Sequence, residues 1–237
     1  MATDAEESGA GHPADLAETF EGIARILFLS PTLEEALGQI VHAAVAVIPG
    51  CAHASVSLIA KRSISTPNSS DEVPLLVDAI QYETDQGPCL EAIREHEVFR
   101  SDDLLSEGRW PEFSKRAAEE TGVRSMLSFR LFVLEDTMGA LNLYSKEPAA
   151  FVADSYTIGA VFAAHAAVAM SASRKFESLN AGMLSRATIE QAKGIIMATT
   201  RCTADEAFEL LRQQSQALNE KLRDIAAELV ERSANSK

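Results

Sequence analysis

Hydrophobic residues in the first part of the chain recur every three or four positions, as they do on one face of a helix. One such stripe begins at Asp15. A second begins after Thr32, whose hydroxyl has the spacing of a capping box with Glu35, and it runs to Ile48. The pattern therefore predicts two successive helices ahead of the first strand.

Alternating hydrophobic and polar positions predict strands further along. His53 to Ala60 alternates cleanly, whereas residues 61–70 are polar and typical of turns, so no strand is expected there. Glu95 to Asp102 is predicted to be a strand, and Arg124–Leu134 with Gly139–Ser145 reads as a β-hairpin. Helices are predicted over Asp71–Tyr82, Trp110–Thr121 and Phe151–Ser173.

The order of these elements predicts an α+β domain over residues 14–174, with a mostly antiparallel sheet covered by helices. Residues 185–232 carry no strand signal and predict three helices. The first runs from Ser185 to Met197, the second follows a capping box at Thr203, and Asn219 can cap the third. We expect a leader at 1–13, a linker helix or hinge at 175–183, a small all-α bundle at 184–233 and a tail at 234–237.

Charge divides the chain in the same place. The formal net charge is −14, and residues 1–183 hold 13 basic and 27 acidic residues, whereas residues 184–237 hold 8 of each. A general basic coat for nucleic acid or anionic lipid is excluded for the whole chain. The neutral last quarter supports a second domain.

The three cysteines, Cys51, Cys89 and Cys202, are too few and too widely spaced for a disulfide framework or a zinc site. No metal or cofactor is expected. The acidic start of the sequence lacks the apolar core of a secretory signal. We therefore expect a cytoplasmic protein.

One stretch has nearly the length of a membrane span. Ser155 to Ser173 contains no formal charge, but its large aliphatic and aromatic residues are few. A buried or dimer-facing helix explains it better than a membrane span. Because the small bundle also needs an apolar partner, we expect a homodimer and no membrane.

The C-terminal part resembles the ANTAR family of three-helix RNA-binding antiterminator domains, over about residues 184–233. The resemblance rests on the motifs Ile189-Glu190-Gln191-Ala192-Lys193-Gly194-Ile195-Ile196-Met197, Asp205-Glu206-Ala207-Phe208, Leu211-Arg212 and Asn219-Glu220-Lys221-Leu222. It implies binding to paired hairpin loops of RNA and prevention of a transcription terminator.

The preceding part, roughly residues 14–174, is similar to the GAF domains that are often fused to ANTAR domains in actinobacteria. The matching stretches are Gln81-Tyr82, Gly87-Pro88-Cys89-Leu90, Arg109-Trp110-Pro111, Gly122-Val123-Arg124-Ser125 and Gly139-Ala140-Leu141-Asn142-Leu143-Tyr144. This similarity implies a GAF-like sensor or dimerisation domain whose ligand the sequence leaves unknown.

The ANTAR resemblance implies an RNA-binding set, in which Lys193 is expected to contact RNA. Gly194 costs about 1 kcal/mol in a helix interior, so either a closely approaching nucleotide or a packed helix should explain it. Without the resemblance, the helix face that carries Arg186 and Glu190 would be interpreted as a solvent-exposed face with an ion pair between these two residues. The full set is Arg186, Gln191, Ala192, Lys193, Gly194, Arg212, Asn219, Lys221 and Arg223.

These features together predict a signal-responsive RNA-binding regulator that promotes transcription antitermination and is not an enzyme. No nucleophile–base set or phosphate-binding loop occurs in the sequence. Two alternatives remain open. One is a GAF-fold thiol enzyme, such as a methionine sulfoxide reductase, that uses Cys51 or Cys89, and the other is a non-catalytic dimerisation module. For Cys89, a small buried hydrophobe is the simpler interpretation.

Overall fold

A computed structural model describes residues 21–22, 25, 30–60, 63–95, 97–133 and 136–235. The predicted leader at 1–13 and most of the helix predicted from Asp15 lie outside the described residues. The chain divides into two compact units with a boundary between residues 172 and 173. Each unit is described by itself.

The order of elements follows the hydrophobic pattern except at two places, where residues 63–69 form a strand and a further helix begins at Pro88. The helices are α1 (Leu33–Val47), α2 (Glu72–Thr84), α3 (Pro88–Glu95), α4 (Pro111–Thr121), α5 (Ala153–Thr200), α6 (Ala204–Leu218) and α7 (Leu222–Asn235). The strands are β1 (His53–Ala60), β2 (Ser63–Ser69), β3 (Phe99–Ser101), β4 (Ser125–Val133) and β5 (Asp136–Ser145).

The five strands form one antiparallel sheet in the order β2-β1-β5-β4-β3. Its central strands are aligned so that Ser55 lies opposite Asn142, and Asn142 opposite Ser128. The predicted α+β class and the β4–β5 hairpin are confirmed. Because side chains alternate along a strand, this row of polar residues shares one face of the sheet.

The two faces of the sheet carry separate cores. On one face, Leu127, Phe129 and Leu131 pack with side chains of α1 and α5. Gly159 lets α5 approach the sheet, because a Cβ there would lie 2.5 Å from the Phe129 ring. On the other face, α2 and α4 pack around Trp110, which is buried as its sequence context predicts.

Packing against the sheet explains part of the uncharged stretch of α5. By length and composition alone, Ala153–Phe176 could cross a membrane. Its most apolar 18 residues have a mean hydropathy of 1.3, and 39% of them are buried inside the protein. Phe162, Ala166 and Met170 all lie in the core beside the sheet. These three side chains belong to the face of α5 that packs within its own domain.

Two strand predictions were wrong. Residues 63–69 form the edge strand β2, although the segment is polar and contains Pro67. An edge strand can be polar because it is paired on one side only, and proline is tolerated there. The strand predicted over Glu95–Asp102 shortens to the three residues of β3, since α3 extends to Glu95.

The helix predictions for the C-terminal part also need correction. α5 is a single helix of 48 residues through Thr200, so residues 175–183 are helical and no separate helix starts at Ser185. Asn219 has a left-handed backbone (φ 53°) and ends α6; it does not begin the third helix. The capping box at Thr203 and Glu206 is confirmed.

The second unit has a small core of its own. Ala192 from α5, Leu211 from α6, and Ile225 and Ala226 from α7 are buried together. Partly buried side chains complete it: Ile189, Ile196, Leu222, Leu229 and Val230.

Candidate functional sites

The cation that the sequence singled out, Lys193, is held by a carboxylate on the same helix. Its Nζ lies 2.9 and 3.0 Å from the two carboxylate oxygens of Glu190. In the structure, Glu190 therefore pairs with Lys193 and not with Arg186. Only 16% of the Lys193 side chain is exposed, against 68% for Glu190. An anion that binds Lys193 has to compete with this neighbour.

Two other residues of the predicted set differ sharply in their surroundings. Ala192 is fully buried in the bundle core, so its side chain contributes to helix packing. Gly194 is exposed, and a Cβ built there would meet nothing within 4 Å. Helix packing within the described part of the chain therefore does not explain this glycine, and the surface above it is open to an approaching molecule.

The remaining predicted cations are exposed, and acidic neighbours hold two of them. Arg212 pairs with Glu209, and Arg223 pairs with Asp224 at 3.1 Å. Among the described residues, no ion pair is present for Arg186 or Lys221. These two cations need not break an ion pair before they bind a phosphate.

The predicted residues of α5 lie within a short stretch of that helix. Lys193 and Gly194 lie about 10 Å along α5 from Arg186, and Gln191 is exposed beside them. A connection of three residues joins α5 to α6, and Ala192 of α5 is buried together with Leu211 of α6. Asn219 and Lys221 lie in the turn between α6 and α7.

Phe208 belongs to one of the ANTAR motifs but was not among the predicted RNA-binding residues. It is 40% exposed, and Met197 is 36% exposed. Phe208 is the only aromatic residue after Phe176. An exposed aromatic ring is a stacking surface for an unpaired base.

The first unit contains a group of buried polar side chains, called here the polar cluster, that no sequence motif predicted. At its centre Asp78 is fully buried and accepts hydrogen bonds from Tyr144 Oη at 2.5 Å, Gln81 Nε2 at 2.9 Å, Ser55 Oγ at 2.8 Å and Thr66 Oγ1 at 2.9 Å. All four donors are neutral. The cluster comprises Ser55, Ser57, Thr66, Asp78, Gln81, Tyr82, Cys89, Asn142 and Tyr144.

The number of hydroxyl protons available around Asp78 indicates whether its carboxyl group is protonated. The hydroxyls of Ser55 and Tyr144 lie 2.9 Å apart, and each also contacts Asp78, so three contacts form a ring. Two hydroxyl protons cannot fill three contacts. A proton on the carboxyl group fills the third, so that Asp78 donates one of its four hydrogen bonds and accepts three. Burial raises the pKa of Asp78. Both observations favour a neutral Asp78.

The rest of the cluster extends across the sheet. Asn142 Nδ2 donates to Ser57 Oγ at 3.0 Å, and Tyr82 Oη donates to the same oxygen at 2.8 Å. Within the described residues, Asn142 Oδ1 and Ser128 Oγ are buried without a hydrogen-bond partner. The cluster could not be predicted from the sequence, because its members are spread over 90 positions of the chain. The signal in the sequence was the presence of Ser55, Ser57 and Asn142 inside hydrophobic strands.

The cysteines are poorly placed for thiol chemistry. Cys89 is fully buried, and its thiol donates to Ser57 Oγ at 3.4 Å. Burial raises the pKa of Cys89 to about 12 and the pKa of Cys51 to about 12. Since the thiolate is the nucleophile, these environments disfavour the thiol-enzyme alternative.

Comparison with protein families assigns both units. Residues 30–171 match the GAF domain family, more than half of the chain. The chain belongs to the GAF domain family. Residues 177–230 match the ANTAR domain, so a GAF domain is followed by an ANTAR domain. An ANTAR domain implies RNA-binding antitermination regulation, and a GAF domain implies signal sensing.

Solved structures support the fold of the GAF domain. The GAF domain of a phosphoenolpyruvate-protein phosphotransferase from Coxiella burnetii is 15% identical, with a TM-score of 0.57 over 71% of this chain and 99% of that one. The corresponding GAF domain from Acinetobacter is 13% identical, with a TM-score of 0.54 over 71% and 99%. At such identities the likeness concerns the fold alone.

A free methionine-R-sulfoxide reductase from Neisseria meningitidis is also similar in fold. It is 15% identical, with a TM-score of 0.51 over 72% of this chain and 98% of that one. No curated protein matches the chain. Within the described residues, no group of three or more His, Cys, Asp or Glu side chains could hold a metal ion.

Proposed function

We propose that this chain is a signal-responsive regulator whose ANTAR domain binds paired hairpin loops in nascent RNA and prevents a terminator from forming. The observation that carries the proposal is the order of the two domains, a GAF domain at 30–171 and an ANTAR domain at 177–230. The motif resemblance supports a regulator of the actinobacterial type. Regulation needs no covalent chemistry, and we expect a cytoplasmic protein without enzymatic turnover.

The exposed side of α5 in the ANTAR domain supports the proposed RNA contact. Lys193 supplies a positive charge, and Gly194 leaves an open surface where a loop nucleotide can approach the helix backbone. Single-stranded loop bases are recognised by hydrogen bonding and stacking, so a domain with balanced charge can still bind them. Phe208 supplies an exposed ring for such stacking.

A homodimer is part of the proposal. Four large apolar side chains within nine residues of α5 are between 62% and 70% exposed: Phe176, Leu179, Met183 and Leu184. They lie beyond the stretch that packs in the GAF core. Exposed apolar residues at this density favour a contact between helices of two chains.

Crosslinking of the full-length protein to RNA, followed by sequencing, tests the function directly. The expected result is enrichment of transcripts in which two hairpins precede or overlap a terminator. The control is the same experiment with Lys193→Ala, which should lose the enrichment. Recovery of random RNA by both proteins would contradict the proposed function.

A further inference from the structure

The GAF domain contains a cavity of about 500 Å³ between strand β4 and helix α5. The residues that decide its character are Phe129, Arg130 and Phe132 from β4 and Ala160, Ala164 and Val168 from α5. Phe129 and the neighbouring Ala163 and Ala167 belong to the core on the α5 face of the sheet. None of the residues that line the cavity belongs to the polar cluster, whose helices are α2 and α3.

The cavity exists because two elements leave room at this place. β3 pairs only with Met126–Ser128, so β4 continues past Ser128 with no strand beyond it on that side. A register irregularity between Leu131 and Phe132 interrupts the alternation of side chains, and Phe132 lines the cavity together with Phe129. The facing side of α5 presents alanines, whose small side chains leave the space empty.

The lining is almost wholly apolar and contains one cation. The Arg130 guanidinium carbon lies 4.4 Å from the centre of the Phe132 ring. Arg130 Nε is buried and has no hydrogen-bond partner, and Arg130 forms no ion pair, among the residues that the structure describes. A buried donor without an acceptor is costly, and a guanidinium stacked on a ring keeps its N–H edge free for a planar anion.

We propose that this cavity binds an amphipathic carboxylate, an organic acid with an acyl or aromatic body. The carboxylate pairs with the Arg130 guanidinium, and the apolar body lies along the alanines and Val168. A volume of about 500 Å³ lies within the range of small-molecule sites, which combine apolar walls with a few polar groups. A peptide fits this lining less well, because its backbone groups would be buried without partners.

The remaining charged residue of the lining is Glu97, which is exposed. It forms no ion pair with Arg130. If Glu97 were the anchor, the cavity would prefer an amine. The charge of the ligand that binds most tightly therefore shows whether Arg130 or Glu97 holds it.

This inference goes beyond the proposed regulator and does not rest on RNA binding. Acid binding is measured on the full chain without RNA, so its failure and a failure of the ANTAR function are separate results. Within the proposed function, such an acid is a candidate for the signal that the GAF domain senses.

The experiment is titration calorimetry of the full-length protein with decanoate, 4-phenylbutyrate, decanol and decylamine, each below its aggregation concentration. We expect decanoate or phenylbutyrate to bind at least tenfold more tightly than decanol, and decylamine to bind more weakly still. The preferred acid distinguishes an acyl from an aromatic body. Arg130→Met should weaken acid binding at least tenfold and leave decanol unchanged. The matched control is Arg116→Met, which removes an exposed arginine of α4 and should bind as the wild type does.

A second variant tests the location without changing charge. Ala164 is exposed on α5, so Ala164→Phe should fold, as circular dichroism would verify, while it fills the cavity and abolishes binding of both acids. The proposal is overturned if neither acid binds the wild type, if decylamine binds most tightly, or if acid binding survives both Arg130→Met and Ala164→Phe. A wild type that binds no acid, combined with a loss of dimer mass in Ala164→Phe, would show that a second copy of the chain occupies the groove.

Discussion

Single residues of α5 in the ANTAR domain separate structural from functional requirements. Ala192 and Gly194 stand two positions apart in the same motif, yet one is fully buried and the other faces open space. Ala192 is accounted for by helix packing. Gly194 lowers helix stability with no compensating contact among the described residues, as expected of a residue kept for binding.

Replacement of Gly194 by alanine should therefore stabilise the protein and weaken its function. Gly194→Ala should raise the free energy of unfolding by up to about 1 kcal/mol, because alanine favours the helix. It should also weaken RNA binding at least about tenfold, or roughly 1.4 kcal/mol. Chemical denaturation and gel shift on the same preparation measure the two effects.

The control is Gly182→Ala, in the same helix and also without a neighbour within 4 Å of the added Cβ. It should give a similar gain in stability with unchanged RNA binding. Equal RNA affinity of both variants and the wild type would remove Gly194 from the interface.

The ion pair between Lys193 and Glu190 predicts opposite effects for its two members. Lys193→Ala should weaken RNA binding at least about tenfold, because a positive charge near the phosphates is lost. Glu190→Gln should strengthen binding, because it releases Lys193 and removes a negative charge. Glu228→Gln, which breaks the pair with Arg232 on α7, is the control. Affinities at two salt concentrations test the idea, and weaker binding by Glu190→Gln would contradict it.

At the scale of elements, the polar cluster connects helix α2 to the sheet. Asp78 lies on α2, and its partners Ser55, Thr66 and Tyr144 lie on β1, β2 and β5. Removal of the shared acceptor leaves several buried donors unsatisfied at once. This mechanism is one of the few by which a single substitution destabilises a domain strongly.

An amide can replace a neutral carboxyl group in this geometry. In Asp78→Asn, the carbonyl oxygen can accept from Tyr144 and Gln81, and the amide can donate to Ser55. We expect a loss of less than about 1 kcal/mol for Asp78→Asn and about 2 to 3 kcal/mol for Asp78→Ala. Urea denaturation at neutral pH measures both. An Asp78→Asn protein as unstable as Asp78→Ala would show that the native group is ionised.

The pH dependence of stability follows from the same residue. Because the pKa of Asp78 is raised by burial, the folded state holds its proton more tightly than the unfolded state. Its contribution to stability is present below the unfolded pKa of about 3.9 and is lost as pH rises from there toward the raised folded pKa. Asp78→Asn should lack this decline, which denaturation at a series of pH values would reveal.

At the scale of the whole molecule, the unequal distribution of charge and the exposed apolar residues of α5 determine what the chain can bind. The acidic excess lies entirely in residues 1–183, so the polyanion RNA is expected to meet the neutral segment 184–237, which holds most of the ANTAR domain. The apolar side chains exposed in α5 lie between residues 176 and 184. These residues are the ones whose substitution should alter assembly.

The full chain is expected to have a mass near twice 25.5 kDa at micromolar concentration. Phe176→Glu combined with Met183→Glu should shift the mass to that of a single chain, because both side chains are more than 60% exposed and become charged. Leu76→Glu places the same charge at another exposed apolar position, in α2, and should not alter the mass. Light scattering tests all three proteins, and a wild-type mass of 25.5 kDa would refute the dimer.

Local sequence determined the features that depend on neighbouring residues. The Thr32 and Thr203 hydroxyls each lie three residues from a backbone partner and cap a helix, and at Thr203 the Glu206 side chain completes the capping box. The β4–β5 hairpin and the buried Trp110 follow from alternation and from an apolar ring at the start of a helix. Each signal lies within about twenty consecutive residues, so the chain pattern alone contains it.

Features that depend on distant segments were decided only by the tertiary structure. The polar segment 63–69 becomes a strand because β1 offers it an edge, and Asp78 is fully buried because α2 packs on strands that the chain supplies before and after it. The cavity beside Arg130 likewise depends on the short β3 and on the alanines of α5, which lie far apart in the chain. Such sites arise from packing between elements, whose geometry a one-dimensional pattern does not contain.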